Sequence, residues 1–166
     1  MGGPGLIDGK YHEETNNFQI CKFMVDGYEY TTAECYFQAA KATCFEDREM
    51  VRKEGKNGLS AYSLGGKIKL RPDWEEVKVD EMYKGNFAKF EQNKEFVEKL
   101  IESKGPVRFL SSTDFWNYWN ARIMERIRAE FRDTEEDKIV AEKIKELMLT
   151  YRKDPKNFKM VLVINK

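Results

Sequence analysis

The stretch Thr31-Thr32-Ala33-Glu34-Cys35-Tyr36-Phe37-Gln38-Ala39-Ala40-Lys41 decides how this chain is read. Two threonines ahead of an apolar run mark a helix start. Thr31-x-x-Glu34 has the spacing of a capping box, in which a hydroxyl and a carboxylate each satisfy an orphan backbone amide. On a helix, Glu34, Phe37, Gln38 and Lys41 fall at i, i+3, i+4 and i+7 and share one face. A carboxylate, an aromatic ring, an amide and an amine on one face are unusual for a core stripe. Two readings stand. In one the face carries chemistry. In the other Glu34 caps the helix, Phe37 is core and Lys41 is solvated. Spacing alone favours the second, because capping boxes are common.

Upstream, Phe18–Val25 reads as an extended segment, Asp26-Gly27 as a turn and Tyr28–Tyr30 as its return. Downstream, Phe45–Lys53 is a charged helical segment stopped near Gly55, and residues 56–69 read as short helix and loop. Arg71-Pro72-Asp73 opens a long helix, with proline in the first turn where its missing N–H is harmless. Its apolar positions are Trp74, Val77, Met82 or Val79, Tyr83, Phe87 and Phe90. A helix over Asn93–Ser103 stops at Gly105-Pro106, and Val107–Leu110 is a short strand. The next helix, Phe115–Phe131, carries the stripe Phe115, Trp119, Ile123, Ile127, Phe131. A last amphipathic helix, Thr134–Arg152, uses Ile139, Val140, Ile144, Leu147 and Tyr151, and Met160–Ile164 is an apolar strand. The fold class is α+β: a helix-rich single domain with a few short strands.

The chain's 166 residues suit one domain, over 10–166, behind a Gly/Pro-rich flexible tail at 1–9. With 29 basic and 29 acidic side chains the formal charge is zero, which argues against bulk electrostatic binding of nucleic acid or an anionic membrane. No apolar run approaches the ~20 residues that span a bilayer, and no signal-peptide pattern opens the chain. Three cysteines without metal spacing predict a reduced, intracellular protein, cytoplasmic or nuclear. A single histidine excludes most histidine-based metal sites and leaves serine- and cysteine-hydrolase readings poor.

Two further constellations stand out. In Arg71-Pro72-Asp73-Trp74-Glu75-Glu76-Val77-Lys78, Trp74 and Lys78 are i, i+4 neighbours that could stack a base and hold a phosphate, or be a core tryptophan with surface ion pairs. In Ser111-Ser112-Thr113-Asp114-Phe115-Trp116-Asn117, Asp114 could cap a helix or face a cleft beside Trp116. Arg128 could pair with Glu125 along the same helix.

These segments, in this order, resemble the NADAR superfamily of YbiA-like N-glycosidases. The resemblance rests on Asn17-Phe18, Asp26-Gly27, Thr32-Ala33-Glu34-Cys35-Tyr36-Phe37-Gln38-Ala39-Ala40-Lys41, Arg71-Pro72-Asp73-Trp74 with Lys78, Asp114-Phe115-Trp116, and Ile123-Met124-Glu125-Arg126-Ile127-Arg128. It spans residues 17–131 and leaves 134–166 as an extension. Gly66 replaces the arginine usual after Gly65, with Lys67 next to it, and Cys35 replaces a usual histidine. A glycine-rich segment before Asn117 is nearly absent.

The resemblance implies hydrolysis of the bond between a phosphorylated ribose and an exocyclic base amine. The implied reaction is removal of ADP-ribose from guanine, in a nucleotide or nucleic acid; zero net charge leans toward free or end-located guanine. It assigns Glu34, Lys41, Lys78 and Asp114 to catalysis. Asn17, Phe18, Phe37, Gln38, Arg71, Trp74 and Trp116 are assigned to substrate. It implies no metal and no nicotinamide redox cofactor; composition predicts no membrane partner, and the oligomeric state is open, with a monomer expected. Hydrolysis of phosphoribosyl-aminopyrimidine intermediates of riboflavin synthesis is the alternative activity. Gly66 and the shortened segment motivate a second alternative, a non-catalytic ADP-ribose-binding module. The charged helix 134–152 motivates a third, a helical interaction protein.

Overall fold

Apolar periodicity and turn chemistry together generate a helix-rich α+β chain, 60% helical, with two small antiparallel sheets. The structure is a computed structural model that describes residues 2–164. The elements in order are β1 (Gly5–Ile7), β2 (Lys10–His12), β3 (Phe23–Val25), β4 (Tyr28–Tyr30), α1 (Ala33–Ala40), α2 (Phe45–Glu54), α3 (Gly58–Gly65), α4 (Trp74–Glu91), α5 (Lys94–Glu102), α6 (Asp114–Arg132) and α7 (Glu135–Lys153). They fall into two compact units. The first holds Asn17–Asn93 with Gly2, and the second holds Gly3–Asn16 and the chain from Lys94 onward.

In the first unit, α1 is the centre. All eight of its residues are buried, and α2, α3, α4 and β4 pack around it. A helix buried on every side has no solvent for its polar groups, so Glu34 and Gln38 must find partners inside. Gly85 on α4 lets the Tyr36 ring approach: a Cβ there would stand 2.4 Å from Tyr36 Cδ1. Tyr36 donates its hydroxyl to Glu81 at 2.5 Å. The β3–β4 hairpin pairs Phe23 with Tyr30 and Val25 with Tyr28. Its turn, Asp26-Gly27, takes positive φ at both residues (52° and 85°), as two-residue hairpin turns demand.

The second unit is built on α6 and α7. Trp119 is fully buried among Tyr151 and Phe158, with ring centroids 5.5 and 5.0 Å away. Arg128 donates to Ser103 Oγ and Gly105 O, and Arg132 to Ile101 O, so two α6 arginines satisfy carbonyls at the end of α5.

Several expectations are corrected. The segment at 1–9 contains β1, whose Gly5–Ile7 pairs with β2 through an Asp8-Gly9 turn and bridges to Arg108. Glycine there serves a hairpin and not a tail. Val107–Leu110 contributes only that single bridge, with Leu6. Residues 160–164 form no strand: Val161 is held by the Tyr118 hydroxyl, which bonds both its N–H and its C=O, and a side chain cannot propagate a ladder. Glu125 pairs with Arg122, not Arg128. On α7 the buried residues are Ile144, Met148 and Tyr151, whereas Ile139 is 59% exposed.

Candidate functional site

The site is assembled from the two ends of α1 and the start of α4. Helix α1 is capped by Thr32, whose Oγ1 accepts from Cys35 N at 2.9 Å. The cap is therefore one residue later than the Thr31-x-x-Glu34 box predicts. The backbone N–H of Glu34 donates to Asn17 O at 3.0 Å. The Glu34 side chain, 0% exposed, accepts from Gln38 Nε2 at 2.7 Å, one turn along the helix.

Lys41 ends α1, and its carbonyl accepts from Arg71 N at 2.9 Å beside an Ala42–Leu70 bridge. That backbone tie brings the start of α4 against the end of α1. It sets Trp74 on Phe37, with ring centroids 5.0 Å apart. Both rings are nearly buried, and Lys41 Nζ lies 5.5 Å from one centroid and 5.9 Å from the other. Burial lowers the Lys41 pKa below its ordinary 10.5. Glu34 acts against that shift and Lys78 adds to it, so the Lys41 amine feels both groups. Lys78, one turn after Trp74, pairs with Glu75 at 2.8 Å, its own side chain only 17% exposed. Residues 34, 37, 38, 41, 74 and 78 accordingly form one cluster: a buried carboxylate, two lysines and a pair of rings tilted 54° to each other.

The remaining candidates are placed differently. Arg71 grips Asp73 through Nε at 2.7 Å and Nη2 at 2.9 Å, and reaches Glu81 at 3.4 Å, so carboxylates already engage its donors. Asn17 is 2% exposed; its amide accepts from Asn86 at 3.0 Å and reaches Met82 Sδ at 3.5 Å, tying it to α4. The Phe18 ring lies against the backbone of Gly58, where a Cβ would stand 2.3 Å from its ring carbons. Asp114 and Trp116 belong to the second unit, at the start of α6. There Thr113 is the cap, its Oγ1 accepting from Trp116 N, and Asp114 is exposed. Cys35, standing where the family usually has histidine, is core: burial pushes its thiol up to about 11.

Sequence reasoning missed Gly65 as a site residue. Its Cα lies so close to Gln38 that a Cβ would stand 1.9 Å from Gln38 Oε1. The only sequence signal was a glycine ending α3 one residue before the helix cap. Among the described residues no three His, Cys, Asp or Glu side chains converge to hold a metal ion, and no helix is long and apolar enough to cross a membrane.

The chain is similar to known proteins over most of its length. The N-glycosidase YbiA of Escherichia coli K12 is 34% identical over 105 residues, 63% of this chain and 65% of that protein. The N-glycosidase YbiA of Shigella boydii serotype 4 matches to the same extent. The alignment thus spans just under two thirds of these relatives' length. The solved NMR structure of Escherichia coli YbiA superposes with a TM-score of 0.60 at 28% identity, covering 80% of this chain and 81% of that one. The NADAR domain model matches residues 8–135, which include every residue of the α1–α4 cluster. The chain therefore belongs to the NADAR domain family.

Proposed function

We propose that this protein is an N-glycosidase that cuts the bond between a phosphorylated ribose and an exocyclic base amine. We propose ADP-ribose on guanine, in a nucleotide or nucleic acid, as the substrate. The observation that carries the reading is the fully buried Glu34 carboxylate in the same cluster as the Lys41 amine, which lies over the Phe37 and Trp74 rings. The curated relatives' name, N-glycosidase, supports the reaction class.

Cleaving C1′–N needs a proton on the departing nitrogen and a nucleophile at C1′. Glu34 is the proton carrier. In direct hydrolysis it protonates the leaving amine as C1′–N breaks, and the carboxylate then takes a proton from the water that adds to C1′. The exocyclic amine also permits a covalent route. The ribose ring opens, the Lys41 amine adds to C1′ and the base amine departs, leaving an imine. Water then hydrolyses the imine and returns the lysine. Both routes consume one water and release one base. Lys41 suits the nucleophile because burial and the neighbouring Lys78 charge favour its neutral form. Lys78, whose partner Glu75 is exposed and can turn away into water, suits a phosphate. Trp74 and Phe37 offer an aromatic wall to the sugar or base.

The test is product analysis of the purified protein with ADP-ribosylated guanosine and, separately, with a phosphoribosyl-aminopyrimidine. Release of free guanosine and ADP-ribose supports the reading. Release only from the pyrimidine moves the substrate to the riboflavin branch. Tight ADP-ribose binding without release from either makes the protein a reader and refutes the enzyme.

A further inference from the structure

Gln38 is buried to 1% exposure, yet its two amide atoms fare differently. Nε2 donates to Glu34 Oε1 at 2.7 Å. Oε1, among the described residues, has no hydrogen-bond partner. With Nε2 spent on Glu34, the amide oxygen is the atom left over. A buried acceptor left unmade is costly, and an apolar residue of the same volume would remove that cost. What the apolar residue would lack is the donor on Glu34. The second observation is Gly65. Its missing side chain is the space Gln38 occupies, since a Cβ would lie 1.9 Å from Oε1, 2.7 Å from Cδ and 2.9 Å from Cβ of Gln38. Any side chain at 65 must displace the amide that holds Glu34.

We infer that Gln38 and Gly65 form a positioning pair for Glu34: Gly65 seats the amide, and the amide fixes the carboxylate in the orientation from which it moves a proton. This rests on the reading of Glu34 as proton carrier. Neither residue forms or breaks a bond; their effect passes through Glu34.

The test compares Gln38→Met, which keeps the volume and removes the donor, with Gly65→Ala, Gln38→Ala and the Gln38→Ala/Gly65→Ala double variant. Gln38→Met and Gly65→Ala are each expected to lower kcat by about 10- to 100-fold with KM changed by less than about threefold, since a misplaced catalytic group costs rate and not affinity. On the Gln38→Ala background, Gly65→Ala is expected to lower kcat by less than about threefold further, because the amide is already gone and only the 2.9 Å approach to the residue-38 Cβ remains. Wild-type kcat in Gln38→Met, or additive losses in the double variant, overturns the inference. A second readout separates it from the substrate assignment. The Gln38 side-chain amide protons should exchange slowly by NMR in the wild type and fast in Gly65→Ala. Fast exchange in the wild type overturns the pair whatever the substrate, and slow exchange lost in Gly65→Ala supports it even if no glycoside is cleaved. Should Gly65→Ala fail to fold, Gln38→Met decides.

Discussion

Glu34→Gln should separate stability from activity. The residue is 0% exposed and its carboxyl oxygen accepts a hydrogen bond from Gln38 at 2.7 Å. Glutamine keeps the shape and an acceptor oxygen for Gln38, but it cannot carry a proton. Loss of a positioned acid–base group costs about 10²- to 10⁴-fold in rate. At 1.36 kcal/mol per decade that is about 2.7–5.4 kcal/mol of transition-state stabilisation. The folded state loses less. Glutamine retains an acceptor oxygen for Gln38, so at most the difference of one hydrogen bond is lost, about 1.5 kcal/mol. Tm should therefore fall by no more than about 6 °C, at 2–4 °C per kcal/mol. Thermal melts and base-release kinetics on the same samples read both quantities. Turnover within tenfold of wild type refutes Glu34 as proton carrier. A Tm fall beyond about 8 °C would instead make Glu34 a structural keystone.

Three other expectations follow from the same contacts. Tyr36→Phe removes the 2.5 Å bond to Glu81 while keeping the ring against Gly85. A hydrogen bond to a charged group is worth about 1.5–3 kcal/mol, so Tm should fall by about 3–12 °C, and an unchanged melt contradicts the packing account. Arg71→Met should lower Tm by a few degrees but leave KM for a sugar phosphate within about threefold, because Asp73 and Glu81 already hold the guanidinium; a large KM rise would return Arg71 to phosphate binding. Trapping of ribose 5-phosphate by borohydride should modify Lys41, with a rate that rises with pH as the amine deprotonates below 10.5. Lys78 lowers the Lys41 pKa, so Lys78→Met must raise it and move that limb to higher pH. A limb that stays put or moves down rejects the coupling.

Local chemistry made most of the elements legible. The Asp26-Gly27 turn and the helix start at Arg71-Pro72-Asp73 are signals that act within a few residues, and the structure realises both, although Pro72 lies just ahead of α4 and not in its first turn, and the α6 cap is Thr113 and not Asp114. The same Asp-Gly signal at 8–9 was hidden by the glycine and proline around it, which read as a tail, so β1 and β2 went unread. The 160–164 segment has strand composition, but a strand exists only if a neighbour pairs with it, and local sequence does not say whether one does. At the site, the shared face of Glu34, Phe37, Gln38 and Lys41 follows directly from helical spacing. The meeting of Lys41 with Trp74 does not, because it depends on the Arg71–Lys41 backbone bond between segments 30 residues apart. Arg71 reads as a phosphate ligand until Asp73 and Glu81 are seen around it. Gly65 could not be read at all, since its role is an absence of atoms that only Gln38 makes meaningful.

The central claim is that a sugar phosphate binds where α1 meets the start of α4. Chemical-shift mapping of the ¹⁵N-labelled wild-type protein with ADP-ribose tests it most directly. The account predicts saturable changes concentrated at the amides of residues 34–41 and 74–78, with the Trp74 indole signal moving among the most. No change at these positions, with saturable changes confined to residues 3–16 or 94–164, would contradict it.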